Sequence, residues 1–106
     1  MTATNEPRSN VLVVDDDRII LDSLCEFLRL EGYHADGAAS YSEAVQAMDR
    51  RPTDLIISDV NMPGGNGFEL LHVIRKRFPE TVGVMMTAYG TIESAVEAMK
   101  MGAFDY

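Results

Sequence analysis

The sequence predicts an α/β protein built on a doubly wound parallel sheet. Two apolar runs, at residues 11–14 and 55–58, lack the polar alternation of half-exposed strands, which is typical of strands covered on both faces. Strand-like and helix-like segments then alternate four times along the chain. Because crossovers between parallel strands are right-handed, this βα order predicts one parallel sheet with helices on both faces.

The first two βα units have recognisable helix boundaries. The strand at 11–14 precedes a helix that Asp16 or Asp17 can cap and that Gly32 ends. We expect its inward stripe to hold Ile20, Leu24, Phe27 and Leu28, with Leu21 and Cys25 beside it. A short strand at 33–36 follows. Ser40 and Glu43 then have capping-box spacing for a helix that runs to residue 50 and that Pro52 ends.

The last two units follow the same plan. A strand at 54–58 leads into a loop at 61–65 and a helix that Asn66 can cap, with Phe68, Leu71 and Ile74 facing inward. The fourth strand is predicted at 82–86. Thr91 then caps a helix that Gly102 ends, and residues 103–106 begin a fifth strand. We therefore expect the fifth strand and the last helix to be incomplete.

Composition limits the classes of function. At 106 residues the chain holds one domain, which we place at 11–106 after a flexible leader at 1–10. A net charge of −8 argues against direct binding of nucleic acid. Cys25 is the only cysteine, so no internal disulfide is possible, which fits a cytoplasmic protein. No apolar run is long enough to span a membrane, so we expect no membrane partner.

Acidic residues follow two of the predicted strands. Asp15, Asp16 and Asp17 come directly after the first strand, and Asp59 comes directly after the third. The carboxyl ends of the strands form the edge where open α/β sheets bind ligands. Carboxylates crowded there repel one another unless a cation joins them. Oxygen ligands without Cys or His suit Mg²⁺ or a similar ion.

The order and spacing of these segments resemble a known family. The strand followed by Asp15-Asp16, Asp59 followed by Met62-Pro63-Gly64, then Met86-Thr87-Ala88 and the closing Gly-Ala-Phe-Asp-Tyr are similar to the receiver domain of two-component response regulators. The sequence around Thr87 and at 102–106 is most similar to that of receivers of NtrC-like σ54-dependent activators. The resemblance covers residues 11–106 and implies the flavodoxin/CheY-like fold, a doubly wound parallel sheet with strand order 2-1-3-4-5.

The resemblance also implies site roles. Asp59 is then the phosphoacceptor, and Asp15 and Asp16 hold Mg²⁺ together with Asp59 and the backbone carbonyl of Asn61. Thr87 is the hydroxyl that hydrogen-bonds the phosphoryl group, and Tyr106 is the switch aromatic. Asp17 is more simply a helix cap than a metal ligand.

The family resemblance implies partners as well. They are a sensor histidine kinase, an output domain in the same parent chain that regulates transcription, and a possible homodimer. Relatives carry a lysine three residues beyond Tyr106 and a further helix. Because the chain ends at Tyr106, it is expected to be a truncated piece of a longer regulator. The module would catalyse its own phosphorylation and dephosphorylation only, so it is not expected to be an enzyme in the usual sense.

Other readings stay open at the level of sequence. A Mg²⁺-dependent phosphohydrolase would use the Asp-x-Asp at 15–17, although Arg18 and Ile19 stand where such enzymes usually have Gly or Thr. A nucleotide- or flavin-binding domain is disfavoured because the first βα turn has no glycine-rich phosphate loop. A receiver-like interaction domain that is never phosphorylated is a further alternative.

Overall fold

The computed structural model describes residues 9–59 and 67–86. The described elements are β1 (Asn10–Val14), α1 (Arg18–Leu30), β2 (His34–Ala38), α2 (Tyr41–Arg50), β3 (Leu55–Asp59), α3 (Gly67–Arg77) and β4 (Val82–Met86). The four strands form one parallel sheet in the order β2-β1-β3-β4. This confirms the predicted α/β class and the 2-1-3-4 part of the strand order. Outside the described residues lie residues 1–8 of the predicted leader at 1–10, the loop at 61–65, the Asn66 cap, the helix at 91–102 and the fifth strand.

β1 is the central strand and the most deeply buried. Val11 pairs with Ala35 of β2 on one side and with Leu55 of β3 on the other. From Val11 to Val14 every side chain is buried. The apolar run at 11–14 therefore reports a strand that is covered on both faces, as predicted.

The sheet separates two apolar clusters. On one face α2 and α3 bury Leu12, Val14 and Ile56 together with Ala44 and Ile74. On the other face α1 covers the second cluster, which consists of Val11, Val13, Leu21, Cys25 and Ala35. Among the described elements, α1 alone packs on that second face, and Leu55 and Ile57 of β3 are only partly buried there.

The helix boundaries follow the predicted caps. Asp17 is the N-cap of α1, and its Oδ1 accepts the backbone N–H groups of Ile19 and Ile20 at 3.0 and 3.3 Å. At the other end Gly32 has φ +99°, where glycine is favoured, and the N–H of Tyr33 donates to Leu28 O at 3.0 Å.

The cap of α2 departs slightly from the standard capping box. The N–H of Glu43 donates to Ser40 Oγ at 3.1 Å, as the predicted spacing requires. The Glu43 carboxylate then accepts the N–H of Ala39, one residue before the cap, at 3.1 Å. This contact fixes the chain between β2 and α2.

The inward stripe predicted for α1 is wrong at two positions. Ile20 and Phe27 are 43% and 59% exposed, whereas Leu21 and Cys25 point into the core. Leu21 fits there because Gly37 of β2 has no side chain: a Cβ on Gly37 would come within 3.0 Å of the Leu21 side chain. The bounds of three strands also move: β1 begins one residue earlier at Asn10, β2 extends two residues further to Ala38, and β3 includes Asp59.

Candidate functional site

Three carboxylates meet at the carboxyl edge of the sheet. Asp15 and Asp16 follow the end of β1, and Asp59 ends β3. Because Val14 pairs with Ser58, the residues that follow them in the two strands are neighbours. One carboxylate oxygen from each of the three side chains lies within 4.8 Å of the others. The structure thus confirms that the acidic residues after the two predicted strands converge.

The three side chains differ in how strongly the fold holds them. Asp15 is only 4% exposed, Asp59 is half-buried, and Asp16 is exposed. The backbone N–H of Asp15 donates to Ala38 O at 3.1 Å, and its Oδ1 accepts the N–H of Asp17 at 2.9 Å. Asp15 is therefore fixed on both its backbone and its side chain.

Asp17 faces away from the carboxylate group. Its Oδ1 accepts the backbone N–H groups of Ile19 and Ile20, which makes it the first-turn cap of α1. Its own N–H supports the Asp15 carboxylate. Asp17 thus positions Asp15 through its backbone, while the carboxylates of Asp15, Asp16 and Asp59 form the cluster.

Burial raises the pKa of Asp15 because the charged carboxylate is poorly solvated in its position. The hydrogen bond from the Asp17 N–H opposes this rise, while the nearby charges of Asp59, Asp16 and Asp17 add to it. The net pKa lies above the ordinary aspartate value. A site of this kind binds a cation favourably, since a cation relieves both the repulsion and the poor solvation.

The donor set fits a hard divalent ion. All three side chains offer carboxylate oxygens, and Mg²⁺ in proteins takes one or two carboxylates together with waters and phosphate oxygens. The described residues contain no other cluster of three or more metal-ligating side chains. Of the three carboxylates, that of Asp16 is the one exposed to solvent.

Three predicted site residues lie outside the described part of the chain: Asn61, Thr87 and Tyr106. For Thr87, the sheet places the residue that precedes it in the sequence. Asp59 pairs with Met86 at the end of β4, and Thr87 is the next residue along the chain. The roles of Asn61, Thr87 and Tyr106 stay predictions.

Sequence reasoning missed one supporting contact in the site. The predicted second strand ended at residue 36, which hid the hydrogen bond from the Asp15 N–H to Ala38 O. The small apolar run at 37–39 carries little strand signal, because glycine and alanine are poor strand formers. The pairing of Val14 with Ala38 shows instead that β2 continues to Ala38.

The comparison with protein families identifies the chain. The family model described as "Response regulator receiver domain" matches residues 11–106. The chain belongs to this receiver family. Its relatives include the response regulator protein FleR of Pseudomonas aeruginosa, 44% identical over 98 residues, which are 92% of this chain and 21% of FleR. PilR of the same organism is 36% identical over 99 residues, 93% of this chain and 22% of PilR.

Solved receiver structures have the same fold. A CheY-like receiver protein from Methanospirillum hungatei is 33% identical with a TM-score of 0.89, over 94% of this chain and 80% of that one. A response regulator from Burkholderia pseudomallei, solved with a phosphorylated aspartic acid, calcium ion and citrate, is 28% identical with a TM-score of 0.87. That match covers 92% of this chain and 58% of the other.

The chain is much shorter than the curated response regulators that it matches. It spans about a fifth of the length of the curated regulators FleR and PilR. Receiver domains are signalling domains that bind Mg²⁺ at an acidic pocket and pair with histidine kinases, and the Asp cluster lies where such a pocket is expected. Within residues 9–59 and 67–86, no helix is long and apolar enough to cross a bilayer.

Proposed function

We propose that this receiver domain accepts a phosphoryl group on Asp59 from a sensor histidine kinase. The observation that carries the proposal is the convergence of Asp15, Asp16 and Asp59 within 4.8 Å in a chain of the receiver family. Asp59 is half-buried at a strand end, so its carboxylate is held in place and can still be reached. Asp15 is fixed by two hydrogen bonds and Asp16 is exposed, which suits a cation site beside the acceptor.

The chemistry is a single displacement at phosphorus. A carboxylate oxygen of Asp59 attacks the phosphorus of the kinase phosphohistidine, the P–O bond forms, and the P–N bond breaks. The electron pair of the P–N bond leaves with the imidazole, which takes up a proton. Asp59 becomes an acyl phosphate, and water later hydrolyses it. The chain catalyses only its own phosphorylation and dephosphorylation.

Mg²⁺ fits beside the acceptor. Asp15, Asp16, Asp59 and the backbone carbonyl of Asn61 would hold the ion. When bound, it neutralises charge on the carboxylates and on the phosphoryl oxygens. The Asp17 N–H keeps one oxygen of Asp15 engaged, so this carboxylate presents its other oxygen without reorganisation.

The output steps belong to the same proposal. The Thr87 hydroxyl would hydrogen-bond the new phosphoryl group, and Tyr106 would move as the switch aromatic. The relatives FleR and PilR are response regulators much longer than this chain, which supports an output domain in the same parent chain. For this chain we propose regulation of transcription, a cytoplasmic location and a possible homodimer, with no direct contact to nucleic acid or membrane.

Intact-mass spectrometry with acetyl phosphate tests the proposal. We expect a Mg²⁺-dependent gain of one phosphoryl group that is absent in Asp59→Asn. Asp54→Asn is the matched control, because Asp54 is a carboxylate at the opposite edge of the sheet that accepts the Asn10 N–H at 2.7 Å. Phosphorylation that persists in Asp59→Asn, or no gain in the folded wild-type chain, would contradict the proposal. Turnover of a generic phosphate ester would favour the phosphohydrolase alternative.

A further inference from the structure

The outer edge of the sheet at β2 is closed by local contacts. β2 pairs with β1 on one side only, and in the described sheet it is the terminal strand. The N–H of His34 and the carbonyl of Ala38 point toward β1, since they bond Ser9 O and the Asp15 N–H. The backbone alternates along a strand, so the polar groups of Ala35 and Gly37 point outward.

Arg29 of α1 covers one of these outward groups. Its Nε and Nη2 atoms both donate to the carbonyl oxygen of Ala35, at 3.0 and 2.7 Å. A planar guanidinium that donates twice to one oxygen is a short, charge-assisted contact. It occupies the position from which the N–H of an incoming strand would donate.

The ends of the edge are closed as well. The N–H of Tyr33 donates to Leu28 O at the end of α1, and the N–H of Ala39 donates to Glu43 of α2. Within β2, the outward groups that no described contact covers are the N–H of Ala35 and both polar groups of Gly37. Two clefts reach Gly37 from the α1 and α2 sides, with cavity volumes of about 480 and 370 Å³, so side chains do not shield this point.

The outward groups of Ala35 and Gly37 are arranged so that two copies of β2 can pair with each other about Asp36. In an antiparallel pair of two copies related by a two-fold axis, Ala35 of one copy faces Gly37 of the other. Such a pair would make four backbone hydrogen bonds, and two of them would end on the Ala35 carbonyls. Those two are the ones that Arg29 blocks. The Asp36 carboxylate is already held by the fold, since its Oδ2 accepts from Nη1 of Arg51 at 3.0 Å.

We propose that Arg29 closes the β2 edge of this receiver to strand addition by a second copy of the chain. Edge strands are templates for such pairing, and natural proteins protect them with charged side chains. Here the protection is a specific bond to the carbonyl oxygen of Ala35. Loss of Arg29 opens the edge for dimerisation through β2.

The test compares Arg29→Met with Arg18→Met in the 106-residue chain. Arg18 lies on the same helix and borders the same cleft, so both variants lose one positive charge from one surface. Sedimentation velocity over a concentration series measures self-association. Hydrogen exchange of the Ala35 and Gly37 amides shows whether the β2 edge is the interface.

We expect Arg29→Met to self-associate on the order of tenfold or more tightly than wild type, since two hydrogen bonds become available. The Ala35 and Gly37 amides should become protected as concentration rises. Arg18→Met should match wild type. The proposal is overturned if Arg29→Met associates no more than wild type, if it associates without protecting these amides, or if Arg18→Met does the same.

A second variant keeps the test decisive if Arg29→Met does not fold. Arg29→Lys keeps the charge and one donor but loses the two-point contact with the Ala35 carbonyl. It should show the same amide protection at higher concentration. A folded Arg29→Lys chain whose Ala35 and Gly37 amides exchange at wild-type rates at every concentration overturns the proposal.

Discussion

The Asp15 carboxylate destabilises the metal-free receiver, and its removal should therefore stabilise the fold. Asp15→Asn removes one negative charge from a buried position and keeps an oxygen that can accept the Asp17 N–H. An oxygen of Asp15 and one of Asp59 lie within 4.8 Å of each other. Two unit charges at that spacing repel by about 3 kcal/mol at an effective dielectric constant of about 20.

Solvent reduces this figure. Asp59 is only half-buried and Asp16 is exposed, so screening weakens their repulsion of Asp15. The poor solvation of the Asp15 charge acts in the same direction as the repulsion. We expect Asp15→Asn to raise the free energy of unfolding by about 1–2 kcal/mol in the presence of EDTA.

Mg²⁺ should reverse the order. Ion binding to the folded wild-type chain adds about 2.7 kcal/mol at hundredfold excess over the dissociation constant, which exceeds the advantage of Asp15→Asn. Asp15→Asn should gain little from the ion. Urea unfolding followed by circular dichroism, with EDTA or with MgCl₂, measures both effects, and Asp54→Asn should match wild type in each. A less stable Asp15→Asn chain in EDTA, or one that gains as much from Mg²⁺ as wild type, would refute the reasoning.

Three further predictions concern the same fold. In EDTA, the stability advantage of Asp15→Asn should shrink as pH falls. The pKa of Asp15 is raised in the folded state, so the folded wild-type chain takes up a proton more readily than the unfolded chain and gains stability. Urea unfolding at several pH values checks this, and a stability difference between the two chains that does not change with pH would contradict it. Asp17→Ala should lose about 1 kcal/mol of stability through its helix cap, while Asp17→Asn should leave the Mg²⁺ response unchanged; an abolished response would make Asp17 a ligand. Cys25 is buried, and burial raises the pKa of its thiol. A thiol reagent at pH 8 should therefore label Cys25 on the order of a hundredfold more slowly in the folded chain than in urea. Equal labelling rates would show that the α1 face opens freely.

The acidic site was predictable because its signals are local in sequence. A short run rich in valine, such as Val11 to Val14, indicates a buried strand, and the charges that follow it then lie at the strand end. The central position of β1 then brings Asp15 and Asp59 together. Neither step needs details of side-chain packing.

The orientation of α1 was not predictable on the same basis. Apolar residues occupy more than half of its circumference, including Ile19, Ile20 and Leu30, all of which are exposed. The apolar pattern therefore fits several rotations of the helix about its axis. The missing side chain at Gly37 admits Leu21 and decides the rotation, and that contact depends on how β2 lies against α1.

The contact of Arg29 with the β2 edge lies still further from the sequence pattern. In the sequence, Arg29 is a cation in the last turn of a helix, where its charge interacts favourably with the helix dipole. Its bond to the Ala35 carbonyl depends on which strand is terminal and on which of its backbone groups point outward. Both are properties of the assembled sheet.

The measurement that tests the central claim most directly is chemical localisation of the phosphoryl group. The chain is incubated with acetyl phosphate and Mg²⁺, treated with sodium borohydride, which reduces an aspartyl phosphate to homoserine, and digested for peptide mass spectrometry. The account predicts homoserine at position 59 alone, with Asp15 and Asp16 intact and no conversion without Mg²⁺. Conversion at Asp15 or Asp16, or a modified chain with Asp59 unchanged, would contradict it.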